Sequence, residues 1–456
     1  MNPFRIASFP TVLPLLLAAA SGTAQDLVHK AAPQKGPVVL TNAVIHTVGA
    51  GIVLGGSLWF EDGRIRAVLA AGEKPDLPAG ATPLVLDLQG KHVYPGLISA
   101  HTALGLQEIG MVRQTVDVDE IGEATPEVLA AVAINPDTTA IPVARSNGVL
   151  AAAVFPGGGS LPGRVSVIQL DGWTNQDLAV RADAGPVVAW PMQQPAAERR
   201  PRRGPGGPAG PGTGAPAEDP AETLRKARDA IDAAFSAAQA WLKARAADAG
   251  TPLDLRHLAL APALRGEAPV FVLANDLEQI ESAVLWATGR GLHPVVVGGA
   301  DAVACADLLR ERKVPVIVDG VHRLPGRDDM PFDAAFTLPA RLAAAGVRFC
   351  IATGSDFSQD RNLPYHAATA AAFGLPPEQA LAAITKDAAE ILGVGDRLGT
   401  LAAGKDATLF VADGDPFELT TRIELAFVQG RQIDLRNKQT ELANKYRERY
   451  RQQKQR

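Results

Sequence analysis

A chain of 456 residues, 47% of them hydrophobic, is long enough to bury a large core and to divide into one big domain with a smaller companion. A net charge of −5, with no basic stripe interleaved with aromatics, excludes a nucleic-acid-binding surface as the chief role. The two cysteines, Cys305 and Cys350, sit in apolar segments and read as buried free thiols, so stability must come from packing and not from a disulfide.

The chain opens with a lone cation, Arg5, then an apolar run over residues 12–20 that is too short to span a bilayer. Gly22 and Ala24 follow in the small-residue pattern of a cleavage site. Residues 1–24 are therefore expected to be a signal peptide and the mature protein to be secreted, in the periplasm; an uncleaved anchor is the other reading. No later segment reads as a second span, so no membrane partner is expected after cleavage.

Residues 37–94 carry short alternating runs broken by Gly, Asn and Asp, and the Glu-Asp-Gly-Arg stretch at 61–64 predicts a hairpin. A matching β signature returns over residues 395–434, with Asp-Gly and Gln-Gly turns. Neither end has enough strands for a stable sheet alone, so the two are expected to join as one composite β-sandwich.

The middle, residues 95–392, differs in kind. PVFVLA, HPVVVGG, VPVIVDG and VRFCIATG are near-continuous apolar runs, each followed by a helical pattern, as expected of strands buried on both faces of a parallel sheet. With VYPGLISA, VLAAAVF, RVSVIQL and GPVVAW upstream there are eight, the number that closes a (β/α)8 TIM-like barrel of parallel strands in an α/β fold. Residues 191–220 interrupt this with a Pro/Gly/Arg-rich stretch that has nothing apolar to bury and is expected to be a disordered insertion. A helix over 222–247 follows, with Leu224, Ile231, Phe235, Ala238 and Leu242 on one face. Residues 435–456 read as a basic, solvated helical tail; an oligomer contact is the alternative.

Four segments carry a family likeness: YPGLISAH, GSDFSQDRNLPYHAA, ALAAITKDAAEILGV and DRLGTLAAGKDATLFVADGDPFE. Together they resemble the amidohydrolase superfamily in its imidazolonepropionase-like and dihydroorotase-like branch, over residues 37–434. In the last segment Gly399, Leu401, Gly404, Lys405, Asp406 and Ala407 match the family pattern while Thr400 and Thr408 depart from it. The resemblance implies a barrel holding one or two divalent ions, usually zinc, at the strand mouths, where a metal-bound hydroxide attacks a carbonyl-type carbon and an aspartate relays the proton.

Carried over position by position, the site is reduced. His101 matches the first histidine of the strand-one His-x-His, but Ala103 replaces the second. GPVVAWPM offers no bridging Lys or Glu, Leu273 or Ala274 stands at the strand-five position, and Gly298 and Gly299 stand where strand six would bring a histidine. Asp356 matches the catalytic aspartate after strand eight. Glu108, Asp171, Asp319 and His322 also follow strand ends, and His101, His322 and Asp356 could together offer a zinc its three protein ligands. The bland readings are a hydrogen-bonded polar residue for His101, a surface loop histidine for His322, and a turn cap or Arg361 partner for Asp356. Two functions follow: hydrolysis of a carbon–nitrogen bond in a small amide, imide or dipeptide-like substrate by a degenerate metal site, or a catalytically silent barrel that binds a small molecule or partner.

Overall fold

A computed structural model of the chain describes residues 28–192 and 219–455. The expected signal peptide, and all but the ends of the 191–220 insertion, lie outside the described residues. Among the described residues no helix is long and apolar enough to cross a membrane, and both cysteines are buried and free.

The two ends of the chain meet in one eight-stranded sheet. Its N-terminal part is β1 (Val38–His46), β2 (Ile52–Glu61), β3 (Arg64–Leu69), β4 (Leu84–Asp87) and β5 (His92–Pro95). The predicted hairpin joins β2 to β3, with Asp62 at φ 52° and Gly63 at φ 74°, the positive angles that a two-residue turn between twisted strands requires. The barrel strands come next in the chain: β6 (Leu97–Thr102), β7 (Val149–Val154), β8 (Gly163–Gln169), β9 (Ala179–Ala189), β10 (Val270–Ala274), β11 (Pro294–Gly298), β12 (Val316–Asp319) and β13 (Phe349–Ala352). Then β14 (Leu409–Ala412), β15 (Ile423–Val428) and β16 (Arg431–Gln432) return to the first sheet, β14 pairing antiparallel with β5. The matched family residue Asp406 ties this joint together: its carboxylate takes Arg397 at 2.7 Å and Arg64 at 2.6 Å, linking the C-terminal segment to the β2–β3 hairpin.

All eight expected barrel strands form, in the order β13-β12-β11-β10-β9-β8-β7-β6, but not all are parallel. β8 runs antiparallel to both β7 and β9, which corrects the expectation of a uniformly parallel ring. The cause is the connection. Residues 155–162, FPGGGSLP, are too few and too rich in Gly and Pro for the helical crossover that parallel neighbours need, so the chain turns straight back. The barrel interior is filled by small and β-branched side chains, among them Ile98, Ala100, Ala151, Ala153, Val187 and Val297, with Phe155 and Phe271 in edge contact at 5.3 Å.

The helix Pro220–Ala247 starts where Asp219 caps the amide of Ala221 at 3.1 Å, and it buries Ile231, Phe235 and Ala238 of the predicted stripe. The tail forms the helix Lys438–Lys454 with no buried residue.

The reversal of β8 also relocates Asp171. Following β8, it lies at the opposite end of the barrel from the strand mouths, fully buried against Arg145 at 3.2 Å and beside Arg431 of the terminal sheet at 3.4 Å. Replacing Asp171 with Asn should lower unfolding free energy by about 3–5 kcal/mol, because it strands the Arg145 guanidinium in the core. Chemical denaturation checks this.

Candidate functional site

The mouth of the barrel is built around a break in β6. Against β7, Ser99 pairs with Ala152 and Thr102 with Val154, so one strand spends an extra residue over the same span. Such a bulge re-aims side chains. Ser99 and Thr102 come to point to one side, while His101 turns toward the barrel interior, where its ring meets the edge of Phe155 at 4.6 Å. His101 is 7% exposed, and its Nδ1 lies 2.9 Å from Oδ1 of Asp319 at the end of β12. An ionised carboxylate only accepts, so the proton of a neutral ring sits on Nδ1 and Nε2 is left with a free lone pair.

On the other side of β6, Ser99 Oγ and Thr102 Oγ1 each donate to Asp360 at 2.7 Å, and Thr353 Oγ1, just past β13, donates to it at 3.1 Å. Asp360 is fully buried. Burial pushes its carboxyl up to about 7, against the three hydroxyl hydrogen bonds and the charge of His101, which favour the anion. Nothing in GSDFSQDR distinguished this aspartate from its neighbour; only its distance past β13 places it under the mouth.

The remaining candidates are spread out. Asp356 is exposed and its Oδ1 accepts from the amide of Ser358 at 3.0 Å, capping the short helix Phe357–Asn362. His322 is exposed on the loop after β12, with Nε2 2.7 Å from Thr369 Oγ1 and its ring 4.1 Å from that of His366. His366 is buried and its Nδ1 accepts from the Val321 amide at 3.1 Å; burial, reinforced by His322, lowers it to about 3. Glu108 accepts from Asn135 at 3.2 Å on an exposed loop. Arg323, three residues before Gly326 in the same loop as His322, is partly buried with no hydrogen bond at Nε; burial lowers its pKa while Asp319 and Asp301 oppose that.

These residues do not fit the ion that the likeness implies. Among the described residues no three His, Cys, Asp or Glu side chains form a group able to hold a metal, and His101, His322 and Asp356 are not brought together as one ligand set. The strand-six position is closed by packing. Gly298 has φ +108°, and a Cβ on it would stand 2.5 Å from Asn275 Oδ1 and 3.0 Å from the Ala274 carbonyl; at Gly299 a Cβ would stand 2.5 Å from Val316 Cγ1. A histidine has no room there.

Comparison with known proteins agrees with this architecture. The sequence profile of the Amidohydrolase family matches residues 292–440. The imidazolonepropionase of Chromobacterium violaceum is 28% identical over 415 residues, covering 85% of this chain and 92% of that protein, and that of Mesorhizobium japonicum is 27% identical over 404 residues, covering 82% and 90%. A crystal structure of an amidohydrolase from Thermotoga maritima superposes with a TM-score of 0.75 at 25% identity, over 88% of this chain and 100% of that one. A composite terminal sheet, a barrel with its polar residues at the strand mouths and these matches define a barrel hydrolase scaffold. The chain belongs to the amidohydrolase superfamily.

The raised carboxyl of Asp360 links stability to pH. An unfolded aspartate ionises near 3.9 and the folded one near 7, so between these values the folded state binds more protons and stability falls as pH rises, flattening above 7. Asp360→Asn should remove that slope from thermal melts recorded between pH 4 and 8.

Proposed function

We propose that the protein hydrolyses a carbon–nitrogen bond in a small amide, imide or dipeptide-like substrate at the barrel mouth, with His101 and Asp319 as its working pair. The observation that carries this reading is the 2.9 Å contact between His101 Nδ1 and the Asp319 carboxylate at the strand ends. A histidine oriented in this way can take a proton from water through Nε2 as the water attacks the acyl carbon, then return it to the departing nitrogen, while Asp319 stabilises the imidazolium in between. Arg323, on the loop after β12, feels the charge of Asp319 and Asp301 and is the cation suited to draw an anionic substrate toward this side of the mouth. The expected roles of Asp356 as proton relay and His322 as zinc ligand are less well supported, since one caps a helix and the other faces Thr369.

The composition of residues 1–24 supports a secreted, periplasmic protein with a small-molecule substrate. The sparse donor set at the mouth favours a second reading, a barrel that binds such a molecule without turning it over.

A panel of cyclic amides, imidazolones and prolyl dipeptides separates the two. Hydrolysis of at least one is expected, reduced roughly 10²–10⁴-fold in kcat/KM by His101→Ala and less by Asp319→Asn, and unchanged by dialysis against a chelator. Binding without turnover would establish the second reading, and activity indifferent to His101→Ala would remove the pair from the reaction.

A further inference from the structure

The largest group of imidazole and phenol side chains outside the mouth lies on the terminal sheet. β1 and β5 run parallel with Val44 beside His92 and Ile45 beside Val93, so the alternation of the strands brings His46, His92 and Tyr94 to one face. His46 Nε2 and His92 Nδ1 are 2.9 Å apart, Tyr94 Oη is 3.3 Å from that same His92 Nδ1, and the His46 and Tyr94 rings stack at 4.1 Å. The exposed carboxylate of Asp415 acts on both His46 and Tyr94.

We infer that His46 and His92, with Tyr94 as third donor, form a binding site for a single tetragonal divalent cation, Cu(II) before all others. Imidazole nitrogens 2.9 Å apart, at metal–nitrogen distances of about 2.0–2.1 Å, subtend about 90° at the ion. That is the cis angle of a tetragonal site and is too narrow for tetrahedral zinc, while mixed imidazole and oxygen donors and the order of divalent affinities both favour copper. Each of the two facing lone pairs must turn by about 45° from the line joining the nitrogens to reach the ion. The hydrogen now shared between the facing nitrogens passes, through water, to the other nitrogen of its own ring, and the Tyr94 phenol releases its proton to solvent. Tyr94 Oη, 3.3 Å from His92 Nδ1 against 2.9 Å between the two imidazole nitrogens, is the most distant of the three donors.

The test is titration of the purified full chain with CuCl2, followed by calorimetry, electron paramagnetic resonance and visible absorption. One equivalent should bind with nitrogen splitting. Affinity should fall at least tenfold in His46→Asn and in His92→Asn, and stay unchanged in His101→Asn, with circular dichroism confirming that each variant is folded. His46→Gln serves if His46→Asn does not fold. Tyr94→Phe should keep the nitrogen splitting and lose the phenolate-to-copper charge-transfer band. Failure to bind one equivalent, or an affinity unmoved by both histidine replacements, overturns the site; a band that survives Tyr94→Phe overturns the third donor.

Discussion

A buried carboxylate closes this barrel. The ladder of backbone hydrogen bonds runs from β13 round to β6 and stops, leaving the first and last strands as neighbours with no backbone pairing between them. Asp360 spans that seam, taking Ser99 and Thr102 from β6 and Thr353 from the end of β13. The Ala103 amide donating to Ser355 at 3.2 Å and the His101–Asp319 contact between β6 and β12 complete the closure. A buried carboxylate is costly when charged, and the three hydroxyls offset only part of that cost, so burial still pushes the group up to about 7. The bulge at 99–102 makes this possible, because one extra residue turns Ser99 and Thr102 toward Asp360 and His101 inward. Seam and proposed site are thus one arrangement: the residues that hold β6 in place flank His101.

The fold was largely legible because its signals are local. Apolar runs of four to eight residues identified every barrel strand, and Asp-Gly at 62–63 and Gln-Gly at 429–430 marked real turns, with Gln429 at φ 47° and Gly430 at φ 73°. The direction of β8 was not legible in its own residues, since an apolar run is the same read either way. The information lay in the eight-residue link before it, whose brevity forbids a crossover. The same reversal sends the last residue of β8, and Asp171 after it, to the far end of the barrel.

The site was less legible, for a different reason. Residue type and spacing announce a ligand set that is present, but burial and cross-strand geometry decide which of several aspartates matters. Asp356 and Asp360 stand four residues apart in one segment, one exposed at a helix cap and the other enclosed by hydroxyls. His101 was visible as the surviving half of a motif, whereas its partner Asp319 stood only as one of several carboxylates after strand ends. His46 and His92 lie 46 residues apart and have no motif at all; the parallel register of β1 with β5 brings them together.

The departure from the family pattern is also more than a list of exchanged side chains. Ala103 is buried just past the end of β6, its amide donating to the Ser355 carbonyl at 3.2 Å. The end of β11 is different. Gly298 and Gly299 both have positive φ and pack where any Cβ would collide, one against Asn275 and the Ala274 carbonyl, the other against Val316. A side chain at either position would have to displace these neighbours and adopt a strained backbone conformation. With β10 ending in Ala274 and β11 in glycine, His101, Asp319 and Asp360 stand on β6, β12 and the segment after β13, and Asn275 follows β10. The proposed pair of His101 and Asp319 therefore lies on one side of the mouth, along the seam that Asp360 closes.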